Sequence, residues 1–130
     1  MDAGNSACGR DRVARARAEA LAGNHRAAFA LLREAVTPDD CYVDQARAAR
    51  ALAALDLGAL PLRPLPLALV AGSTLEHFAP VLRLWLARAG FAAEFMLTPF
   101  DTAAAAVLDP DSALYRFRPD IVWLFGTHRD

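Results

Sequence analysis

The chain of 130 residues holds 14 basic and 15 acidic side chains, for a formal net charge of -1, and 55% of its residues are hydrophobic. That length suits one domain with a small appendage. The apolar content excludes wholesale disorder, and the balanced charge excludes a large basic surface for nucleic acid.

All 14 basic residues are arginine, which removes Schiff-base and Walker-type lysine chemistry. The two cysteines, Cys8 and Cys41, fit no metal-ligand spacing and read as free thiols of a cytoplasmic protein. The opening lacks the basic start and apolar middle of a signal peptide. No apolar run reaches the roughly 20 residues of a membrane-spanning helix. The expectation is a soluble, cytoplasmic protein with no membrane or nucleic-acid partner, no metal and no cofactor.

In chain order, residues 1–9 are small and polar and are expected to fray. A helix follows over 10–22, with Val13, Ala16, Ala20 and Leu21 on one face. Gly23-Asn24 stops it as a left-handed cap would. A second helix over 25–36 carries Ala28, Phe29, Leu32 and Val36 on one stripe. Thr37-Pro38-Asp39-Asp40 breaks the pattern. A third helix over 40–55 places Val43, Ala46, Ala49 and Ala53 together, with Leu52 beside them. The first two helices resemble one helix-turn-helix unit of the tetratricopeptide type. No repeat at the roughly 34-residue period accompanies them.

Three prolines, Pro61, Pro64 and Pro66, make residues 58–66 an extended linker. Beyond it the pattern alternates between strand and helix. A buried strand over 67–71 ends at Gly72-Ser73-Thr74. A helix over 78–89 presents Phe78, Val81, Leu82, Trp85 and Leu86 on one face, and Gly90 ends it. A second strand spans 92–97, and a helix spans 100–108. A loop or short helical turn covers Asp109 to Asp120. A third strand over 121–125 is uniformly apolar, as a central parallel strand would be, and Trp85 and Trp123 fit the core. The result is a helical segment (1–57), a linker (58–66) and a βαβαβ parallel sheet with right-handed crossovers (67–130). A chain that stops directly after such a strand reads as truncated, or as having that edge covered by a partner or by its own helices.

Open α/β sheets bind ligands at the carboxyl ends of their strands. Adjacent parallel strands align those ends, so Gly72, Ser73, Thr74, Gly126, Thr127 and His128 form the candidate binding crevice. Ser73 admits three roles: nucleophile, non-catalytic ligand contact, or cap of the next helix, for which Thr74 serves equally. As a nucleophile Ser73 needs a general base. His128 is a candidate base or anion contact. Tyr115, Arg116, Phe117 and Arg118 form a basic-aromatic cluster suited to an acidic partner surface, a phosphate, or a solvated loop.

Several spaced elements carry a family resemblance: the strand ending in Gly72-Ser73-Thr74, the helix Phe78-Ala79-Pro80-Val81-Leu82-Arg83-Leu84, and Gly90. Further on come Pro99-Phe100, the run Asp109-Pro110-Asp111-Ser112-Ala113-Leu114-Tyr115, and Pro119-Asp120-Ile121-Val122. Over residues 61–130 the chain resembles the N-terminal region of FkbH-like proteins, a branch (subfamily IIIC) of the haloacid-dehalogenase superfamily. The resemblance implies a flavodoxin-like sandwich similar to SGNH/GDSL hydrolases, normally followed by a C-terminal phosphatase-like domain. It implies a role in natural-product (polyketide) biosynthesis, associated with loading a glyceryl or acyl unit onto an acyl carrier protein. Ser73 then stands where GDSL-type hydrolases place their nucleophile.

The departures from that pattern bear on catalysis. The Asp before the serine in the GDS motif is absent, and no Asn follows Gly126-Thr127 to complete an oxyanion hole. The one Asp-x-Asp, Asp109-Pro110-Asp111, leads to Ser112 and lies in a loop, so it is not the DxDxT of a phosphatase. The expected function is a non-catalytic accessory region facing an acyl carrier protein. The alternative is an SGNH-type esterase or acyltransferase whose Ser73 is completed from outside this chain. A third reading gives the binding to helices within residues 10–55.

Overall fold

A computed structural model describes residues 3–72, 74–99 and 101–126. Three helices come first: α1 (Ala3–Leu21), α2 (His25–Ala35) and α3 (Tyr42–Ala53), followed by a 3-10 turn (Leu57–Ala59). The α/β part runs β1 (Arg63–Ala71), α4 (Phe78–Arg88), β2 (Phe91–Leu97), α5 (Ala103–Leu108), α6 (Ala113–Phe117) and β3 (Ile121–Phe125). The fold is thus a helical segment followed by a partial α/β sheet.

α1 and α2 form an antiparallel hairpin. Gly23 takes a left-handed φ of 83°. The Asn24 N–H then reaches the Glu19 carbonyl at 2.9 Å and the Gly23 N–H reaches Ala20 at 3.0 Å, the paired bonds of a Schellman cap. Against the expected fraying of residues 1–9, the described ones among them, 3–9, are helical, since α1 begins at Ala3. Its early turns are held because Gly9 is buried against the carbonyl end of α2, so close that an added Cβ would collide with the Ala35 oxygen. Beside it the Arg12 guanidinium donates to the Glu34 carbonyl at 2.8 Å.

The helical core joins Val13 and Ala16 to Ala28, Phe29, Leu32, Ala35 and Val36, and to Ala48, Ala49, Ala51 and Leu52. Four expected stripe positions lie outside it. Leu21 is 92% exposed at the end of α1 and Val43 is 62% exposed, while Ala53 is exposed as well and Ala46 is half-buried outside the core. α3 touches α1 and α2 as well as α4, so its buried face is wider and rotated from the stripe through Val43.

α4 joins the helices to the sheet. Val81, Leu84, Trp85 and Ala87 pack into the helical core, while Ala79, Leu82 and Leu86 pack on Leu67 and Leu69 of β1. A helix with apolar residues on opposite sides belongs between two layers. Polar contacts close the junction. The Trp85 indole N–H donates to Gln45 Oε1 at 2.9 Å, and Arg88 donates to the Val36 carbonyl at 3.0 Å while lying over the Trp85 ring.

The sheet is parallel with strand order β2-β1-β3. Alternation along β1 sends Leu67 and Leu69 toward α4, and Ala68 and Val70 toward Leu114 and the Ala103–Ala106 face. Helices thus cover both faces of β1.

β1 starts four residues earlier than expected, inside the proline-rich stretch. Pairing with β2 begins at Arg63, whereas pairing with β3 begins only at Leu67. The Arg63 N–H turns toward β2, to the Gly90 carbonyl, and the Pro66 carbonyl turns the other way, to Asp120. Pro64 and Pro66 therefore lack their N–H groups on the side where no partner strand yet runs, and no ladder bond is lost.

Among the described residues β3 stands at the edge of the sheet, whereas its apolar run suggested a central strand. Ile121, Val122, Trp123 and Leu124 are 43–63% exposed. Trp123 accordingly lies at the surface rather than in the core, stacked on Phe125 at 4.6 Å between centroids.

Candidate functional site

Gly72 and Gly126 each follow the last residue of a strand, and the register pairs Ala71 with Phe125. The two glycines therefore stand level at the carboxyl edge, where the chain leaves β1 toward β2 on one side and β3 lies on the other. That is the switch point at which open α/β sheets leave room for a ligand. A cleft of about 630 Å³ opens there, lined by Gly72, Gly126, Val70, Leu124, Asp101 and the exposed face of α5. Its size falls within the roughly 300–1,000 Å³ of small-molecule sites.

The small residues Ala103 and Ala104 on α5 keep the wall back from the strand ends. Val107 and Leu108 complete an apolar side and are themselves exposed. Among the described lining residues Asp101 alone is ionisable, and none is basic. The described lining thus offers no cation to a phosphate, and its apolar side suits a neutral alkyl group. Asp101 adopts a left-handed φ of 58°, a conformation aspartate tolerates better than most residues. The turn is closed by Thr102, whose N–H and hydroxyl both donate to the Pro99 carbonyl.

Thr98 fixes the end of β1, and sequence reasoning missed it. Its N–H donates to the Leu69 carbonyl at 3.2 Å, and its Oγ1 accepts from the Ala71 N–H at 3.1 Å. A hydroxyl residue directly after an apolar strand, level with the end of a neighbouring strand, is the signal that could have marked it.

Of the expected crevice residues, the structure brings Gly72 and Gly126 together. Thr74 is exposed, stands outside the lining, and does not cap α4. The first amides of that helix, Phe78 and Ala79, bond back to the Leu75 carbonyl at 3.0 Å each, so a tight turn replaces a side-chain cap. Ser73, Thr127 and His128 lie outside the described residues.

The other candidates are occupied in local structure. Asp109 Oδ1 accepts from the Asp111 N–H at 2.9 Å, and the Ser112 hydroxyl donates to the Ala106 carbonyl at 2.7 Å. Arg116 donates twice to the Asp111 carbonyl, Tyr115 donates to the Val107 carbonyl, and Phe117 packs beneath the sheet. The Asp-Pro-Asp-Ser loop and its neighbours therefore brace α5 and α6. No group of three or more His, Cys, Asp or Glu among the described residues could hold a metal ion, and no described helix is long and apolar enough to cross a membrane.

Among solved structures, the chain is similar to the N-terminal part of the protein BF1531 from Bacteroides fragilis, described as containing a phosphatase domain complexed with Mg. The identity is 20%, the match covers 66% of this chain, and the TM-score is 0.55. The chain spans 21% of that one, so the likeness concerns fold over a limited part of a longer protein. No protein-family model and no curated protein matches the sequence.

Proposed function

We propose that this chain is a non-catalytic accessory region of the FkbH-like kind, which holds the acyl end of a carrier-protein-bound substrate for a phosphatase-type domain to act on. The observation that carries the reading is the apolar cleft between Gly72 and Gly126 at the strand switch point, with Asp101 the one ionisable group among its described lining residues. The spaced motifs from Gly72-Ser73-Thr74 to Pro119-Asp120-Ile121-Val122 support it. So does the fold shared with the N-terminal part of a phosphatase-containing protein.

In this reading a short glyceryl or acyl unit on a phosphopantetheine thioester enters the cleft. Its hydroxyl or thioester oxygen lies near the backbone at the strand ends, and its alkyl part lies along α5. The phosphate of the arm stays outside, where solvent and the carrier can neutralise it. Ser73 keeps the position of a hydrolase nucleophile and acts as a contact. Treatment of the chain with a fluorophosphonate tests this: no labelling of Ser73 is expected. Stoichiometric labelling that disappears in Ser73→Ala would overturn the non-catalytic reading in favour of an SGNH-type esterase or acyltransferase.

A further inference from the structure

The two edges of the sheet are built differently. β2 carries Glu94, exposed at the middle of the strand, and Arg83 lies over its Phe95 ring at 5.1 Å. A mid-strand charge and a covering arginine are the devices by which proteins keep an edge from pairing. β3 has neither. From Ile121 to Phe125 it contains no charge, no proline and no glycine. Its side chains are open on both faces of the sheet, Ile121 and Trp123 on the α4 side and Val122 and Leu124 on the cleft side. A parallel-sheet strand with apolar residues on both faces is suited to the inside of a sheet.

The backbone at this edge is also unspent. The Arg63 N–H faces β2 and the Pro66 carbonyl faces β3, so even-numbered residues of β1 direct their backbone groups at β3. The parallel register of Ala68 with Val122 gives those bonds to the odd-numbered residues of β3. By alternation, Val122 and Leu124 present their backbone groups at the open edge.

We infer that β3 pairs with β3 of a second copy of this chain, antiparallel about a twofold axis through Trp123, to give a continuous six-stranded sheet. The sequence of the strand is self-complementary in that register. Ile121 meets Phe125, Val122 meets Leu124, Trp123 meets its own copy, and Asp120 meets Gly126, so no like charges oppose one another. Opposed residues in an antiparallel pair share a face, so each apolar face continues across the junction. Ile121, Val122, Trp123, Leu124 and the neighbouring Phe78 leave on the order of 500 Å² open in total, a large part of the roughly 800 Å² each partner contributes to a standard interface. The strand backbone and the ends of α5 supply more. Leu124 also lines the cleft, so the second copy forms its missing side wall.

Equilibrium sedimentation of the 130-residue chain across a concentration series tests the pairing. A mass of two chains is expected. Leu124→Lys places a charge on a side chain already 63% exposed and is expected to weaken association at least tenfold with an unchanged far-UV circular dichroism spectrum. Hydrogen exchange followed by NMR on the unmodified chain gives a readout independent of that variant. The Val122 amide, which faces the open edge, is expected to exchange at least tenfold more slowly at concentrations where the dimer dominates. A single-chain mass throughout would overturn the inference, as would a folded Leu124→Lys variant that still dimerises, or a Val122 amide indifferent to concentration. Open-ended oligomers, or an edge that pairs only with another polypeptide, would assign β3 to a different occupant and overturn it equally.

Discussion

The hydroxyl of Thr98 accepts a hydrogen bond from the backbone N–H of Ala71 at 3.1 Å. Ala71 is the last residue of β1 and is 2% exposed, and β2 ends one residue before Thr98. A single side chain thus terminates the ladder and sets the height at which Gly72 leaves the sheet.

Replacing Thr98 by valine keeps the shape and removes the acceptor. The buried Ala71 N–H is then unpaired, which costs about 1–3 kcal/mol. Chemical denaturation is expected to show that loss for Thr98→Val and a clearly smaller one for Thr98→Ser. Equal losses for the two variants would assign the effect to packing instead of the hydrogen bond.

Leu84 is fully buried in the helical core, while Ala79, Leu82 and Leu86 of the same helix pack on the sheet. Leu84→Ala is expected to cost about 2–5 kcal/mol, and helix and tryptophan signals are expected to lose stability together. Unfolding in two separated steps, with only the first moved by the substitution, would show that α4 does not couple the layers.

Gly9 and Gly126 respond oppositely to the same change. Alanine ordinarily stabilises a helix by about 1 kcal/mol over glycine, yet at Gly9 the new methyl meets the Ala35 carbonyl. Gly9→Ala is therefore expected to destabilise by about 1–3 kcal/mol through overpacking. An added Cβ at Gly126 meets nothing within 4 Å, so Gly126→Ala is expected to stay within roughly 0.5 kcal/mol of the parent. Thermal melts of the two variants side by side decide the matter.

The hydrophobic patterns located most elements because burial there is uniform: α2 buries one stripe, Ala28, Phe29 and Leu32, and β1 is apolar from Leu67 to Ala71 because both of its faces are covered. Where two layers meet on one helix the single-stripe rule fails. α4 buries Leu84 and Ala87 on one side and Ala79 on another, and α3 turns Val43 outward. The start of β1 was hidden by Pro64 and Pro66, whose missing N–H groups matter only where a neighbour runs. An apolar strand sequence also reads the same whether or not both edges are paired, so the edge position of β3 had no signature in composition. Glycine directly after an apolar run was enough to place Gly72 and Gly126 at the strand ends. The cleft wall was not legible, because it depends on the turn at Asp101 and on how α5 returns over the sheet.

The most direct test of the central claim is an NMR titration of the chain with a holo acyl carrier protein bearing a glyceryl or short acyl thioester. Unloaded carrier serves as the reference. The account predicts that the loaded carrier perturbs the amides of Gly72, Gly126, Val107 and Leu108, that the unloaded carrier perturbs them far less, and that Ala104→Trp, which fills the cleft, abolishes the difference. Perturbations confined to α1–α3, or identical for loaded and unloaded carrier, would contradict it.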